Sequence, residues 1–386
     1  MCLRFIRLAA VLTLTLELDA LKSHWYSASS AAAPQRFEVV DDRCNADTAY
    51  RLACAGTAVL WQGDFQQAKQ LLQALTRRVH RPIKFSTSVS AMPQAFHAYR
   101  MAQAQRARIL SMVVLQVEGD HSIALRRAPD VKEALQSAWG SATAELRVVA
   151  LRELLGIISA YEWQRKGVPI QVQGIDSFTI HPHYGVFAPV RSEYLDLLAQ
   201  APLPSTELAW DIGTGSGVVA ALLLMRGVKQ IVATDSSERA VRCASDNLQR
   251  LGLSDRAQVQ IGDVFPSGRS PLIVCNPPWL PGKATSLLEQ AIYDPQSRML
   301  RSFVAGVGSR LTPEGEAWLL LSDLAEHFRL RTREELLQWI ADAGLQVLER
   351  LDIRPRHPKA SDSADALHAA RSQELTSLWR LGVRAA

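Results

Sequence analysis

A strand-like run, Leu208–Ile212, passes directly into three glycines spaced by one residue, Gly213, Gly215 and Gly217, and then into an apolar stretch that ends at Met225. Glycine permits φ > 0 and has no Cβ to collide with a ligand, and the helix start that follows offers free N–H groups. Strand, glycine turn and helix therefore set both a local geometry and a binding edge. The alternation continues downstream. Gln230–Thr234, Ala257–Ile261, Leu272–Cys275 and Glu316–Leu321 read as strands, and Glu238–Leu251, Leu287–Leu311 and Thr332–Ala343 as helical. This predicts an α/β, doubly wound, Rossmann-like parallel sheet. Two last extended stretches, Gln346–Ile353 and Leu375–Leu381, suit an antiparallel hairpin at one edge.

The loop's own residues narrow its ligand. A dinucleotide loop wants a third glycine where Val218 stands, and a P-loop wants a Lys that is absent. What remains is DxGxGxG, with Asp211 ahead of the glycines. An acid there repels phosphates but can engage an ammonium, such as that of the methionine moiety of S-adenosylmethionine. Asp235 ends the next strand and can accept both hydroxyls of a ribose; Asp263 follows the strand after that and can meet an adenine amino group. Three acids at three successive strand ends define one crevice at the carboxyl edge of the sheet. The candidate cofactor set is Asp211, Gly213, Thr214, Gly215, Gly217, Asp235, Ser236, Asp263, Val264 and Asn276.

About sixty residues beyond the glycines comes Asn276-Pro277-Pro278-Trp279, at the end of another predicted strand. Prolines fix φ and donate no hydrogen bond, so the loop is rigid and its carbonyls stay available. An exocyclic amine on a π-system is a poor nucleophile because its lone pair is delocalised. If the Asn276 side-chain oxygen and a loop carbonyl accept its two hydrogens, the nitrogen can pyramidalise toward a methyl donor. Trp279 can stack on a flat acceptor. Asn276, Pro277, Pro278 and Trp279 are the candidate catalytic residues.

Residues 185 to about 325 resemble class I S-adenosylmethionine-dependent methyltransferases, and more narrowly the small-domain group with its NPP[YFW] signature. That group includes ribosomal RNA guanine-N2 and release-factor glutamine methyltransferases. The resemblance implies that Asp211, Gly213 and Gly215 line the cofactor, Asp235 holds the ribose and Asp263 meets the adenine. Gly185-Val186-Phe187 looks like the group's GVF segment. The stretch through Glu193 partly matches the PRPETE-like segment of the glutamine enzymes, with Ser192 where Thr is usual. Those enzymes carry Tyr after NPP, so Trp279 is a departure that counts against a glutamine substrate. The implied activity is N-methylation of a planar exocyclic or amide nitrogen, with RNA or a ribosomal substrate first, a protein glutamine second and a small molecule third. A non-catalytic scaffold and a nicotinamide-dependent oxidoreductase are the rival readings; the intact acids and the NPPW loop oppose the first, and Val218 the second.

The first half of the chain carries no such motif. It divides, on this reading, into a loose or short helical segment over 1–35 and a mostly helical substrate-recognition domain over 36–166, with the methyltransferase domain at 167–386. Asp64 caps a helix with apolar positions at Phe65, Ala68, Leu71, Leu72, Leu75 and Val79. Further helices are expected over Gln94–Arg108 and Ala144–Lys166, and a strand over Ile109–Val117. From Trp61 to Glu133 there are eleven Lys and Arg against five Asp and Glu, within a net charge of +5 for the whole chain. That excess suits an acidic partner such as RNA, or equally a set of solvated helix faces. The basic insert Arg354–Lys359 reads the same two ways. Five cysteines without a CxxC pair point to a reducing, cytoplasmic setting and to neither a disulfide framework nor a zinc site. His181 and His183 lack an evident third ligand, so no metal is expected. Phe5–Leu16 resembles a weak signal peptide but is followed at once by Glu17 and Asp19, and is too short to span a bilayer; no membrane role is expected.

Overall fold

The computed structural model describes residues 21–80, 92–190, 192–356 and 367–384. Phe5–Leu16, and His357, Pro358 and Lys359 of the basic insert, lie outside them. The chain divides into two compact units, one of residues up to Ile83 with Ala98–Glu162, the other of Lys84–His97 with Trp163–Ala386.

The first unit is built on a sheet. Strands β1 (Arg36–Val40), β2 (Thr57–Trp61), β3 (Val113–Val117) and β4 (Arg147–Ala150) lie in that order. The first three are parallel and β4 runs antiparallel to β3. Helical residues outnumber strand residues among those described, yet the sheet supplies the core. The expected helix over Ala144–Lys166 starts only at Leu151. Val148 and Val149 are β-branched and fully buried, and they pair across to β3 instead. The expected strand likewise begins at Val113, because Ile109 and Leu110 finish the helix Met92–Leu110. All five residues of β2 are buried, and such a short apolar run has no period to read. The Asp64 cap is present: its carboxylate accepts from the N–H groups of Gln66 and Gln67, and Phe65, Ala68, Leu71, Leu72 and Leu75 are buried beneath.

In the second unit a small antiparallel pair, β5 (Val168–Val172) and β6 (Ile175–Ile180), precedes the main sheet. Its seven strands are β7 (Leu208–Ile212), β8 (Gln230–Asp235), β9 (Ala257–Ile261), β10 (Ser270–Cys275), β11 (Leu311–Ser322), β12 (Leu345–Ile353) and β13 (Thr376–Val383), in the order β12-β13-β11-β10-β7-β8-β9. From β11 to β9 every pairing is parallel. The expected hairpin exists, with β13 inserted antiparallel between β11 and the edge strand β12. Side chains alternate between two cores: Leu272 and Val274 of β10 join one cluster, Ile273 and Cys275 the other. A sheet buried on both faces explains the near-continuous apolar reading of its strands. The expected helix Leu287–Leu311 is shorter, Arg298–Val307. Asp294-Pro295 interrupts it, and Gln296 and Ser297 take φ of 58° and 53°.

Candidate active site

Register brings the predicted loops together. Cys275 lies opposite Ile212, Ile212 opposite Thr234, and Asp235 opposite Ile261. The residues leaving these strands, Asn276, Gly213, Ser236 and Gly262, therefore emerge side by side on one edge. Between β7 and β10 the chain reverses its direction of progress across the sheet, which is where open α/β sheets bind ligands.

The glycine loop is shaped by backbone bonds to the neighbouring strand. The N–H groups of Gly213 and Thr214 both donate to the Thr234 carbonyl, at 2.8 and 2.9 Å. Gly213, Gly215 and Gly217 have φ of 73°, 55° and 80°. They serve different ends. A Cβ on Gly213 would meet only the flexible tip of Met299, Cε at 2.6 Å, whereas one on Gly217 would meet Ala244 Cα at 3.0 Å, so packing demands the glycine at 217. A Cβ on Gly215 would find only the Gly213 carbonyl, at 4.0 Å. That open face suits close approach by a ligand.

Asp211 is 2% exposed. Its Oδ2 accepts from the Thr214 hydroxyl at 2.6 Å and from the Ala220 N–H at 3.2 Å. Its contacts brace the loop and the start of the helix Val218–Met225. Burial pushes its carboxyl up to about 7, against the pull of those two hydrogen bonds. Asp235 is half-buried. One oxygen accepts from Gly215 N–H at 3.0 Å, the other from Ser237 N–H at 2.9 Å. Burial raises this carboxyl as well, against the pull of the backbone N–H groups of Ser237, Gly215 and Ser236. Ser236 and Asp263 are exposed. Val264 has φ of 71°, rare for a β-branched residue, and its carbonyl accepts from the Thr234 hydroxyl at 2.9 Å. Backbone strain of this kind clusters at ligand sites.

At the catalytic loop, the Trp279 indole N–H donates to Asn276 Oδ1 at 2.9 Å. The Trp279 ring, half-buried, packs on the core cluster of Ile273 and Cys275, and its N–H fixes the amide of Asn276. Pro277 is buried and Pro278 half-buried.

Two contributors carried no motif. Asn247, 1% exposed on the helix Glu238–Arg250, donates to the Ser216 carbonyl at 3.0 Å and the His181 carbonyl at 3.2 Å, and accepts from His181 N–H at 2.8 Å. A buried amide in mid-helix leaves no periodic signal. Asp294 was hidden inside the over-long helix reading, although the proline after it marks a turn. His183 Nε2 lies 3.1 Å from Asp246, and His181 Nδ1 lies 2.6 Å from the Gln164 carbonyl, so both histidines have local partners. In the first unit, ion pairs occupy much of the basic excess: Arg78 with Asp47, Arg126 with Asp42, Arg127 with Asp64 and Lys132 with Asp120. No helix among the described residues is long and apolar enough to cross a membrane.

Residues 177–333 match the family model of the methyltransferase small domain. The chain is 30% identical over 170 residues to the tRNA1(Val) (adenine(37)-N6)-methyltransferase of Serratia proteamaculans, covering 41% of this chain and 64% of that protein. It is 27% identical over 180 residues to the ribosomal protein uL3 glutamine methyltransferase of Bordetella pertussis, covering 41% and 60%. The chain thus spans under two thirds of the length of these curated relatives. The crystal structure of a ribosomal protein L11 methylase from Lactobacillus delbrueckii subsp. bulgaricus superposes with a TM-score of 0.35 at 17% identity, covering 52% of this chain and 82% of that one.

Proposed function

We propose that this chain is an S-adenosylmethionine-dependent methyltransferase that acts on a planar nitrogen, most naturally in RNA, in the cytoplasm. The observation that carries the reading is the oriented amide of Asn276, held by Trp279 at 2.9 Å beside the glycine loop of the adjacent strand. The crevice fits the cofactor: Gly215 leaves space for it, and the Asp235 carboxylate has lone pairs for ribose hydroxyls. The cofactor supplies an electrophilic methyl on a sulfonium. The protein's part is to orient and desolvate the acceptor. With one lone pair of Asn276 Oδ1 taken by Trp279, the other accepts one hydrogen of the target amine. A carbonyl of the Pro277-Pro278 turn takes the second. The nitrogen lone pair then points out of the ring plane, and the nitrogen sheds a proton to water after transfer.

RNA is preferred because a tRNA adenine-N6 enzyme is among the relatives, and because Arg77 and Lys69 of the first unit show no ion pair among the described contacts. The uL3 glutamine enzyme supports a protein glutamine as the second reading. The deciding experiment is transfer of labelled methyl into an extract from a strain lacking the protein, split by RNase and protease. Label lost to RNase supports the first reading, and label lost to protease the second. A protein that binds no cofactor sinks both.

A further inference from the structure

Outside the motifs, Asp294 has contacts toward both loops of the crevice, by its side chain on one side and its backbone on the other. Asp294 is 5% exposed. Its Oδ2 accepts from the N–H groups of Met299, at 2.9 Å, and Leu300, at 3.2 Å, capping the helix Arg298–Val307. Met299 is the residue whose methyl lies 2.6 Å from where a Cβ on Gly213 would be, so it rests on the cofactor loop. The backbone of Asp294 reaches the other way. Its N–H donates to the Leu280 carbonyl at 2.9 Å, and Leu280 N–H donates to the Ile292 carbonyl at 3.0 Å. That parallel bridge fixes the chain directly after Trp279. The turn between these contacts is strained: Gln296 and Ser297 are both left-handed without being glycine. Such residues persist only where the surroundings enforce them.

We propose that Asp294 is a positioning residue for methyl transfer, tying the Asn276–Trp279 loop to the glycine loop so that acceptor nitrogen and methyl group are held at reacting distance. This rests on the methyltransferase reading. Asp294 acts through Met299 by its side chain and through Leu280 by its backbone N–H. A displacement of about 1 Å between reacting groups costs about 100-fold in rate.

The test uses the full chain with Asp294→Ala and Asp294→Asn. Turnover is followed as labelled methyl entering a whole-cell extract from a strain lacking the protein, and cofactor affinity by calorimetry. Asp294→Ala is expected to lower turnover about 100-fold while the cofactor Kd stays within about threefold. Asp294→Asn is expected to recover to within about tenfold of wild type, because its amide oxygen can still accept from Met299 and Leu300 but lacks the charge opposite Arg298 and Arg331. Equal losses in Kd and turnover, unchanged turnover, or no recovery in Asn would each overturn the proposal. Hydrogen exchange gives a second readout that needs no acceptor. In Asp294→Ala, Leu280 N–H should exchange at least tenfold faster while Gly213 and Thr214 N–H keep their protection. Uniform acceleration, or none, also overturns it. A wild-type protein that binds no cofactor is a separate result, which removes the methyltransferase reading and leaves the exchange comparison to judge the tether.

Discussion

Replacing Asp211 by Asn should make the protein more stable at pH 8. Burial moves this carboxyl from its ordinary 3.8 up to about 7. The folded state therefore holds its proton more tightly than the unfolded chain does. Stability from this group is complete below about pH 4, falls as pH rises toward 7, and is flat above that. At about 1.4 kcal/mol per tenfold in proton affinity, the ionised form costs about 4 kcal/mol by pH 8 and about 1.5–2 kcal/mol at pH 5. An amide oxygen in the place of Oδ2 can still accept from Thr214 and Ala220, so the loop keeps both bonds without the buried charge. Urea unfolding of wild type and Asp211→Asn at both pH values measures the difference. The variant's advantage should widen by about 2–3 kcal/mol from pH 5 to pH 8. A constant gap, or a variant less stable than wild type at pH 8, refutes the argument. Cofactor affinity in the same variant separates bracing from charge recognition. Bracing leaves it within about threefold, whereas a direct bond from Asp211 to an ammonium would cost about 1.5–3 kcal/mol when removed.

Asn276→Ala should leave cofactor affinity nearly intact while methyl transfer falls by about 100- to 1,000-fold, the cost of one oriented hydrogen-bonding group in a transition state; parallel calorimetry and turnover decide, and equal loss of both would make the loop structural. Asp235→Ala should weaken the cofactor by about 1–3 kcal/mol, a charge-assisted partner lost, and calorimetry showing unchanged affinity would remove Asp235 from the site. Asn247→Leu leaves the Ser216 and His181 carbonyls and the His181 N–H without their partner. At about 1 kcal/mol or more for each, it should destabilise by about 3–5 kcal/mol; a loss below about 1 kcal/mol by urea titration would show that water replaces the amide.

The second unit was legible because its signals are local and repeated. Leu208–Ile212 and Ala257–Ile261 form strands over the range their composition marks. Thr332 and Glu335 form the capping box that opens the helix Arg333–Asp342. The first unit was not, for an equally physical reason. Strand β2 is buried throughout and β4 is four residues long, so neither carries the alternation that separates strand from helix. Their partners fix them: β3 lies between them and supplies the pairing that propensity alone leaves open. Charge in the same half left two readings open. A count along the chain finds a basic excess, but Arg126 and Arg127 are neighbours in sequence that fold onto Asp42 and Asp64, 84 and 63 residues away.

The candidate site divides along the same line. Residues offered to a ligand must sit at fixed offsets from a strand end, so Gly215, Asp235 and Asn276 announce themselves by spacing. Residues that hold them need only a donor or acceptor that reaches, and the fold can draw these from anywhere. Asn247 clamps Ser216 from 31 positions away, and the Asp294 carboxylate caps the helix Arg298–Val307 from a turn that carries no motif. Trp279 shows how the two sets overlap. It occupies a position the NPPW signature assigns to the acceptor's face, yet its N–H is spent on Asn276. Phenylalanine there would keep the ring and release the amide. The choice of tryptophan is thus explained by the orientation of Asn276 and needs no appeal to the acceptor, which weakens the inference from this residue against a glutamine substrate and leaves that decision to the labelled extract.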